Sequence, residues 1–407
     1  MNFNLDKSKV VAYICHMQYI HRKLENQLKK ASRAFPVIML TGPRRSGKTT
    51  LLQKCFPSAS YYLLEDADII DRVKGDPRSF LEDIRLLVIL DEIQNTPELL
   101  NYIRARADYS GKRRCQWILT GSQEPALMKG VSESMAGRAA IFHLLPLSRP
   151  ETEKVSILKG GFPEAIARPS HADTWFRSYI QTYLERDIRA VSSIRDLTTF
   201  RKFMALITSH IGQVLNRTEI STPLGVSVPT ISGWLGILEA THQIILVPHF
   251  FENFGKRLIK SPKLYFTDTG LASYLLGIES ERSLISSPFY GALFESFVAS
   301  EISKAQLNAG KRRDIYYFRD RQGLEVDFLI PLGNKRLALI EAKASRTIRS
   351  ADAVPIARLE KAALKKYTIE SFVVHMPSRS LQGISALQKG VKAISYDGIP
   401  RMLGISC

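Results

Sequence analysis

A chain of 407 residues exceeds what one ordinary core organises, so two or three domains are expected. Its 45% hydrophobic and 24% charged residues exclude a disordered or fibrous chain. Lys and Arg number 57 against 39 Asp and Glu, and the resulting charge of +18 points to a polyanionic partner such as nucleic acid. Four scattered cysteines, Cys15, Cys55, Cys115 and Cys407, form no C-x-x-C pair, which argues against zinc and against a disulfide framework. No window approaches the roughly 20 apolar residues that cross a bilayer, so no membrane partner and a cytoplasmic location are expected.

The first chemistry-bearing stretch is "VIMLTGPRRSGKTTLLQKC". An apolar run, Val37 to Leu40, enters a glycine-bearing loop and leaves through a helical pattern, the context a complete G-x-x-x-x-G-K-[ST] loop requires. Gly42 and Gly47 permit backbone angles that leave successive N–H groups free for phosphate oxygens. The expected ATP site is Gly42, Pro43, Arg44, Arg45, Ser46, Gly47, Lys48, Thr49 and Thr50. Lys48 is expected to reach the β and γ phosphates and the Thr49 hydroxyl to serve Mg²⁺. The helix beginning near Lys48 directs its positive dipole end at the same anion.

"IRLLVILDEIQN" reads as a strand buried on both faces, central in a parallel sheet and neighbouring the loop's own strand. It ends in Asp91, expected to hold Mg²⁺ through water, and Glu92, expected to act as general base. A third strand, "CQWILTGSQ", carries hydroxyls at Thr120 and Ser122 where a γ-phosphate sensor would sit.

These three stretches, with "SMAGRAAIFHLLPLSRPE", "GGFPEA", "YLERDI", "KSPKLYFTDTGLASYLLG" and "GALFESFVASEI", resemble the prokaryotic AAA+ ATPases that carry a C-terminal domain of unknown function numbered 4143. The resemblance covers nearly the whole chain and implies an ATP-binding protein. In similar ATPases an arginine from a neighbouring subunit or the lid acts on the γ-phosphate, and Arg138 in "AGR" is the position that matches.

Residues 150 to 200 turn helical, with Trp175, Tyr179, Tyr183 and Ile188 near one stripe, read as the core of a lid or connector. Next, "NRTEISTPLGVSVPTISGWLGILEATHQIILV" reads as a short helix, a glycine turn and a second helix with Ser227 as N-cap and Pro229 in its first turn. Ile231, Trp234, Leu235 and Leu238 face inward and Thr230, Ser232 and Gly233 outward, the geometry of a helix-turn-helix. "IILVPHFFENFGKRLIKSPKLYF" then reads as a β-hairpin wing with Lys256, Arg257, Lys260 and Lys263 close to its turn. The outward helix face is poor in the side chains that read base edges. Contacts through Thr230, Ser232, Lys256, Arg257 and Lys260 would therefore address a DNA backbone.

Glu295 in "LFESFVASEI" shares a helical stripe with Val298, Ala299 and Ile302, so this acid needs a cation or donor nearby. Downstream, Glu325 and Asp327 alternate along one strand and Glu341 and Lys343 along the next, each pair facing one side. The order resembles the restriction-endonuclease-like nucleases. That resemblance implies Mg²⁺ on Glu295, Asp327 and Glu341, with Glu325 as an extra carboxylate and Glu341 and Lys343 as catalytic groups.

The expected architecture is α/β. A P-loop AAA+ parallel sheet with helices on both faces occupies residues 1–150, a helical lid or connector 151–200, a winged helix-turn-helix 201–285, and a restriction-endonuclease-like α/β domain 286–407. Two readings follow. One is a Mg²⁺-dependent ATPase that acts on DNA, its last domain cutting or gripping the nucleic acid. The other is a nucleotide-switched regulatory or adaptor protein with a catalytically inactive nuclease-like domain. Oligomer assembly and a further protein partner are compatible with both.

Overall fold

Five parallel strands, β1 (Val37–Thr41), β2 (Ser60–Leu63), β3 (Val88–Asp91), β4 (Trp117–Thr120) and β5 (Ala139–His143), form the first sheet in the order β2-β3-β4-β1-β5. The computed structural model describes residues 19–109, 115–121, 135–184, 197–250, 261–363, 366–377, 385–388 and 390–405. Alternate residues serve opposite faces of the sheet. Ile38, Leu40, Ile89 and Ile118 meet Leu28 of α1 (Glu25–Ala31) and Leu51 and Leu52 of α2 (Lys48–Cys55). Met39, Val88, Leu90 and Leu119 meet Leu99, Leu100 and Ile103 of α3 (Leu99–Tyr109). Burying each such side chain contributes about 2 kcal/mol, and both faces must be covered for continuous apolar strands to persist.

Contrary to the sequence expectation, the strand ending in Asp91 does not neighbour β1, because β4 lies between them, hydrogen-bonded to both. The crossover through α3 returns the chain to the middle of the sheet rather than to its edge.

The helical region follows. In α4 (Ala172–Tyr179) Trp175 and Tyr179 stack at 5.1 Å, each 5.0 Å from Phe162, so these two aromatics are core residues as expected. Ile188 and the Tyr183 side chain lie outside the described residues. Then come α5 (Leu197–Ser209), α6 (Arg217–Leu224) and α7 (Val228–Ala240). Gly225 ends α6 in the left-handed region at φ 64, where a Cβ is disfavoured, and Ser227 caps α7 by accepting from the Thr230 amide. Ile231, Trp234, Leu235 and Leu238 are buried as the periodicity required. A two-stranded antiparallel ribbon, β6 (Ile244–Val247) and β7 (Lys263–Phe266), comes next. Lys256, Arg257 and Lys260 lie outside the described residues.

After α8 (Thr269–Leu275) comes α9 (Tyr290–Asn308), then β8 (Tyr316–Arg319), β9 (Glu325–Gly333), β10 (Arg336–Lys343), α10 (Val354–Ala363), β11 (Thr368–His375), β12 (Ser385–Gln388) and β13 (Val391–Ser395). These strands form a mixed sheet ordered β12-β13-β11-β10-β9-β8, with β10, β11 and β13 parallel. Phe294, Phe297 and Ile302 of α9 pack on Phe328, Ile330 and Ile340. Ile356 and Leu359 of α10 cover Val326, Leu329 and Leu339 on the other face. The α9 core is continuous with that of α7 and β7 through Trp234, Leu238 and Tyr265.

Candidate functional site

β1 delivers the chain to Gly42, and α2 begins at Lys48 behind a left-handed Gly47 (φ 93). At Gly42 (φ 142) an added Cβ would lie 2.2 Å from the Leu144 carbonyl oxygen, so only glycine fits. The Lys48 ammonium folds inward and donates to the Gly42 and Pro43 carbonyls at 3.1 Å each, bonds that phosphate oxygens can replace. Thr49 Oγ1 donates to Asp91 Oδ2 at 2.6 Å and the Tyr61 hydroxyl to the same oxygen at 2.9 Å. Burial, the largest influence, raises the Asp91 carboxyl above its usual range against the Thr49 hydrogen bond.

Asp91 Oδ1, Ser46 Oγ and Thr120 Oγ1 are buried without a hydrogen-bond partner. Register places Thr120 beside Leu40 and Leu119 beside Leu90, so the P-loop, Thr120 and Asp91 share one edge of the sheet. Orphaned polar groups are costly, and these are of the kind a magnesium nucleotide would satisfy. On that test the residues fit ATP and Mg²⁺, with Thr49 and Asp91 placed to hold the metal. Glu92 follows in the left-handed region at φ 61 and accepts a bond from Gln94 Nε2. Of the loop arginines, Arg44 lies 3.6 Å from Glu65 and Arg45 3.6 Å from Glu164.

Ser122 lies outside the described residues. Arg138 precedes β5 beside the start of β1 and pairs with Asp108. A strand of five residues, roughly 16 Å, separates it from its own P-loop, so it cannot serve that loop and could act only on a neighbouring copy. Sequence reasoning missed Arg22. Buried, it donates to the Ser46 carbonyl at 2.8 Å, to the Leu145 carbonyl at 2.6 Å, and to Glu151 at 3.0 Å. It binds the P-loop to the segment leaving β5, and nothing in a lone arginine 24 residues before Ser46 announces it.

On α7 the outward hydroxyls are engaged locally. Thr230 Oγ1 lies 2.8 Å from Ser227 Oγ, and Ser232 Oγ donates to the Val228 carbonyl at 3.1 Å.

The C-terminal acids converge, with a partner the sequence reading assigned elsewhere. Lys263, expected near the ribbon's turn, opens β7 and is 2% exposed. Its Nζ is 2.9 Å from Glu295 Oε1, 2.5 Å from Glu325 Oε1 and 3.6 Å from Asp327 Oδ1. The Tyr265 hydroxyl also donates to Glu295. Glu295 therefore has the cation and donor that its buried register demanded. Asp327 Oδ2 accepts from the Ala342 amide at 2.9 Å, and Lys343 donates to Glu341 at 2.8 Å. Burial first, and the nearby Asp327 charge second, raise both Glu295 and Glu341. Lys263 rises too, since the Glu295, Asp327 and Glu325 charges outweigh burial. Among the described residues no three acid, imidazole or thiol groups converge as a metal-ligand set. The expected Mg²⁺ on Glu295, Asp327 and Glu341 does not fit this arrangement, because the Lys263 ammonium lies between Glu295 and Asp327; Glu341 pairs with Lys343 and leaves Oε2 buried without a partner.

The motifs "GGFPEA" and "FTDTG" meet each other. Asp268 Oδ2 accepts from the Gly161 amide at 2.6 Å and Oδ1 from the Leu271 amide at 3.0 Å, and a Cβ on Gly160 would lie 2.0 Å from Asp268 Oδ1.

Residues 34–153 match the family described as AAA domain, 152–282 a domain of unknown function (DUF8612), and 290–395 a domain of unknown function (DUF4143). The chain is 31% identical over 339 residues to the uncharacterized proteins Mb2031c of Mycobacterium bovis and Rv2008c of Mycobacterium tuberculosis, covering 82% of this chain and 76% of theirs. Among solved structures, a Walker-type ATPase of Pyrococcus abyssi is 16% identical with TM-score 0.42, covering 62% of this chain and 95% of that one. A RuvB variant of Thermotoga maritima is 15% identical with TM-score 0.29, covering 59% and 88%. The matches of residues 34–153 and 290–395 and the likeness to the two mycobacterial proteins show that the chain belongs to the prokaryotic AAA+ ATP-binding family with a C-terminal domain of unknown function 4143.

Proposed function

We propose that the protein is a Mg²⁺-dependent ATPase whose nucleotide state repositions the winged helix-turn-helix against a DNA backbone, and whose restriction-endonuclease-like domain grips nucleic acid without cutting it. The observation that carries the ATPase reading is the 2.6 Å bond from Thr49 Oγ1 to Asp91 Oδ2, which sets a hydroxyl and a carboxylate together at the P-loop edge. When bound, Mg²⁺ supplies charge neutralisation to the phosphates. Lys48 exchanges its two loop carbonyls for phosphate oxygens, the loop amides orient the triphosphate, and Thr120 meets its terminal group. Glu92 accepts a proton from the attacking water. Arg138 would reach such a site only from a neighbouring copy in an oligomer.

Calorimetry and a turnover assay test this reading. Lys48→Ala should lose nucleotide binding, whereas Glu92→Gln should bind ATP yet turn it over about 100-fold more slowly. Equal turnover in both variants and the parent would overturn the roles assigned. The charge of +18 supports nucleic acid as partner, read by a DNA mobility shift that weakens steeply with salt.

A second reading, a nucleotide-switched adaptor for a protein partner with an inactive nuclease-like domain, is favoured by Lys263 lying among the carboxylates. Metal-dependent cleavage lost in Glu341→Ala or Lys343→Ala, with ATP turnover intact, would refute it and the gripping role together.

A further inference from the structure

We infer that Lys263 is the resident cation of the carboxylate cluster: its ammonium takes the place among Glu295, Glu325 and Asp327 that a divalent metal would need, so lysine and metal occupancy exclude one another. The inference rests on the restriction-endonuclease-like reading only for what such a metal site would be. The contacts themselves are independent of it.

Magnesium binds carboxylate oxygens at about 2.0–2.1 Å and demands near-octahedral geometry. Here one ammonium is 2.9 Å from Glu295, 2.5 Å from Glu325 and 3.6 Å from Asp327. A second cation in that space would overlap the first and be repelled by it. Part of the remaining ligand capacity is also in use, although Glu341 Oε2 is buried without a hydrogen-bond partner. The other oxygen of Asp327 accepts the Ala342 amide, Glu295 Oε1 also accepts the Tyr265 hydroxyl, and Glu341 holds Lys343.

The backbone of Lys263 is held in place. Its backbone is paired with Val247 across the ribbon and bridged to Val214 on its other side. Ser296 Oγ of α9 bonds both the amide and the carbonyl of Phe266, and Ser300 Oγ donates to the Thr267 carbonyl. The cation thus belongs to the ribbon and the acids to α9 and the second sheet, so two parts of the chain complete one charge cluster.

The experiment is Mn²⁺ binding by electron paramagnetic resonance on the full chain without nucleotide, in an Asp91→Asn background that silences the P-loop edge. The parent should bind no Mn²⁺ at the cluster. Lys263→Ala should gain one site, at least about tenfold tighter than any residual binding by the parent and lost again when Asp327→Asn is added. Lys263→Arg, which keeps the charge, should gain none. A folded Lys263→Ala that gains no site would overturn the inference. Should Lys263→Ala fail to fold, the parent decides: Mn²⁺ bound there and lost with Asp327→Asn overturns exclusion, and its absence upholds it. No nucleotide is present, so failure of the ATPase reading leaves this result intact.

Discussion

The imidazoles of His143 and His242 meet edge to face, their centroids 5.2 Å apart and planes inclined by 62°. His143 closes β5 beside Thr41, whose Oγ1 lies 2.7 Å from its Nδ1, and His242 follows α7 in the left-handed region at φ 56. His143 therefore links the residue before the P-loop glycine to the turn that leaves α7.

That contact gives a pH prediction. Burial, with the Arg313 charge second, lowers His143 to about 4. An unfolded histidine titrates near 6.5, so between those values the unfolded chain binds more protons than the folded one. Stability is full above about 6.5 and is lost as pH falls toward 4. The expected loss from this group is up to about 3 kcal/mol. Thermal midpoints followed across that window should fall, and His143→Phe should flatten the fall. Parallel curves for the two proteins would show that the imidazole contributes nothing.

Gly42→Ala should weaken nucleotide binding at least tenfold, by about 1.4 kcal/mol, and lower stability by about 2 kcal/mol, because the new methyl meets the Leu144 carbonyl at 2.2 Å. Calorimetric titration with ATP and a urea midpoint read the two effects separately. Unchanged affinity would mean that the loop's path is not what shapes the phosphate cradle.

Arg22→Ala should destabilise by about 3–5 kcal/mol, since it strands a fully buried Glu151 whose carboxyl, despite burial, the Arg22 charge holds below its usual value. Nucleotide affinity should drop with it as the Ser46 carbonyl loses its donor. A denaturation midpoint matching that of the parent would rule out this role.

Asp268→Ala removes the cap of α8 and orphans the buried Gly161 amide, an expected loss of about 2–4 kcal/mol. Asp268→Asn keeps one acceptor and should cost less. Should the two variants melt together, the Gly161 bond would not be what holds the two motifs.

Periodicity and spacing disclosed the P-loop strand and helix, the buried stripe of α7 and the charged face of β9 and β10, since each depends on neighbours within a few residues. Strand order was not legible, because "WILT" follows "VILD" in the chain yet inserts between it and β1. Lys263 was grouped with Lys256, Arg257 and Lys260 because it follows them closely. Only the pairing of β6 with β7 and the packing of β7 on α9 turn it toward the acids. Arg22 and Tyr61 escaped for the same reason, as each acts through a fold contact 24 or 30 residues away.

The nineteen residues of α9 make a rod of about 28 Å. Near its end, Glu301 accepts the Arg149 amide at 2.8 Å and Lys304 donates to the Leu147 carbonyl at 3.0 Å, both on the strap that leaves the first sheet. Glu295 sits about 9 Å further up the same shaft. A continuous helix bends little over that span. Any tilt imposed at the strap therefore reaches Glu295 as a rigid rotation, with no hinge along the helix to absorb it.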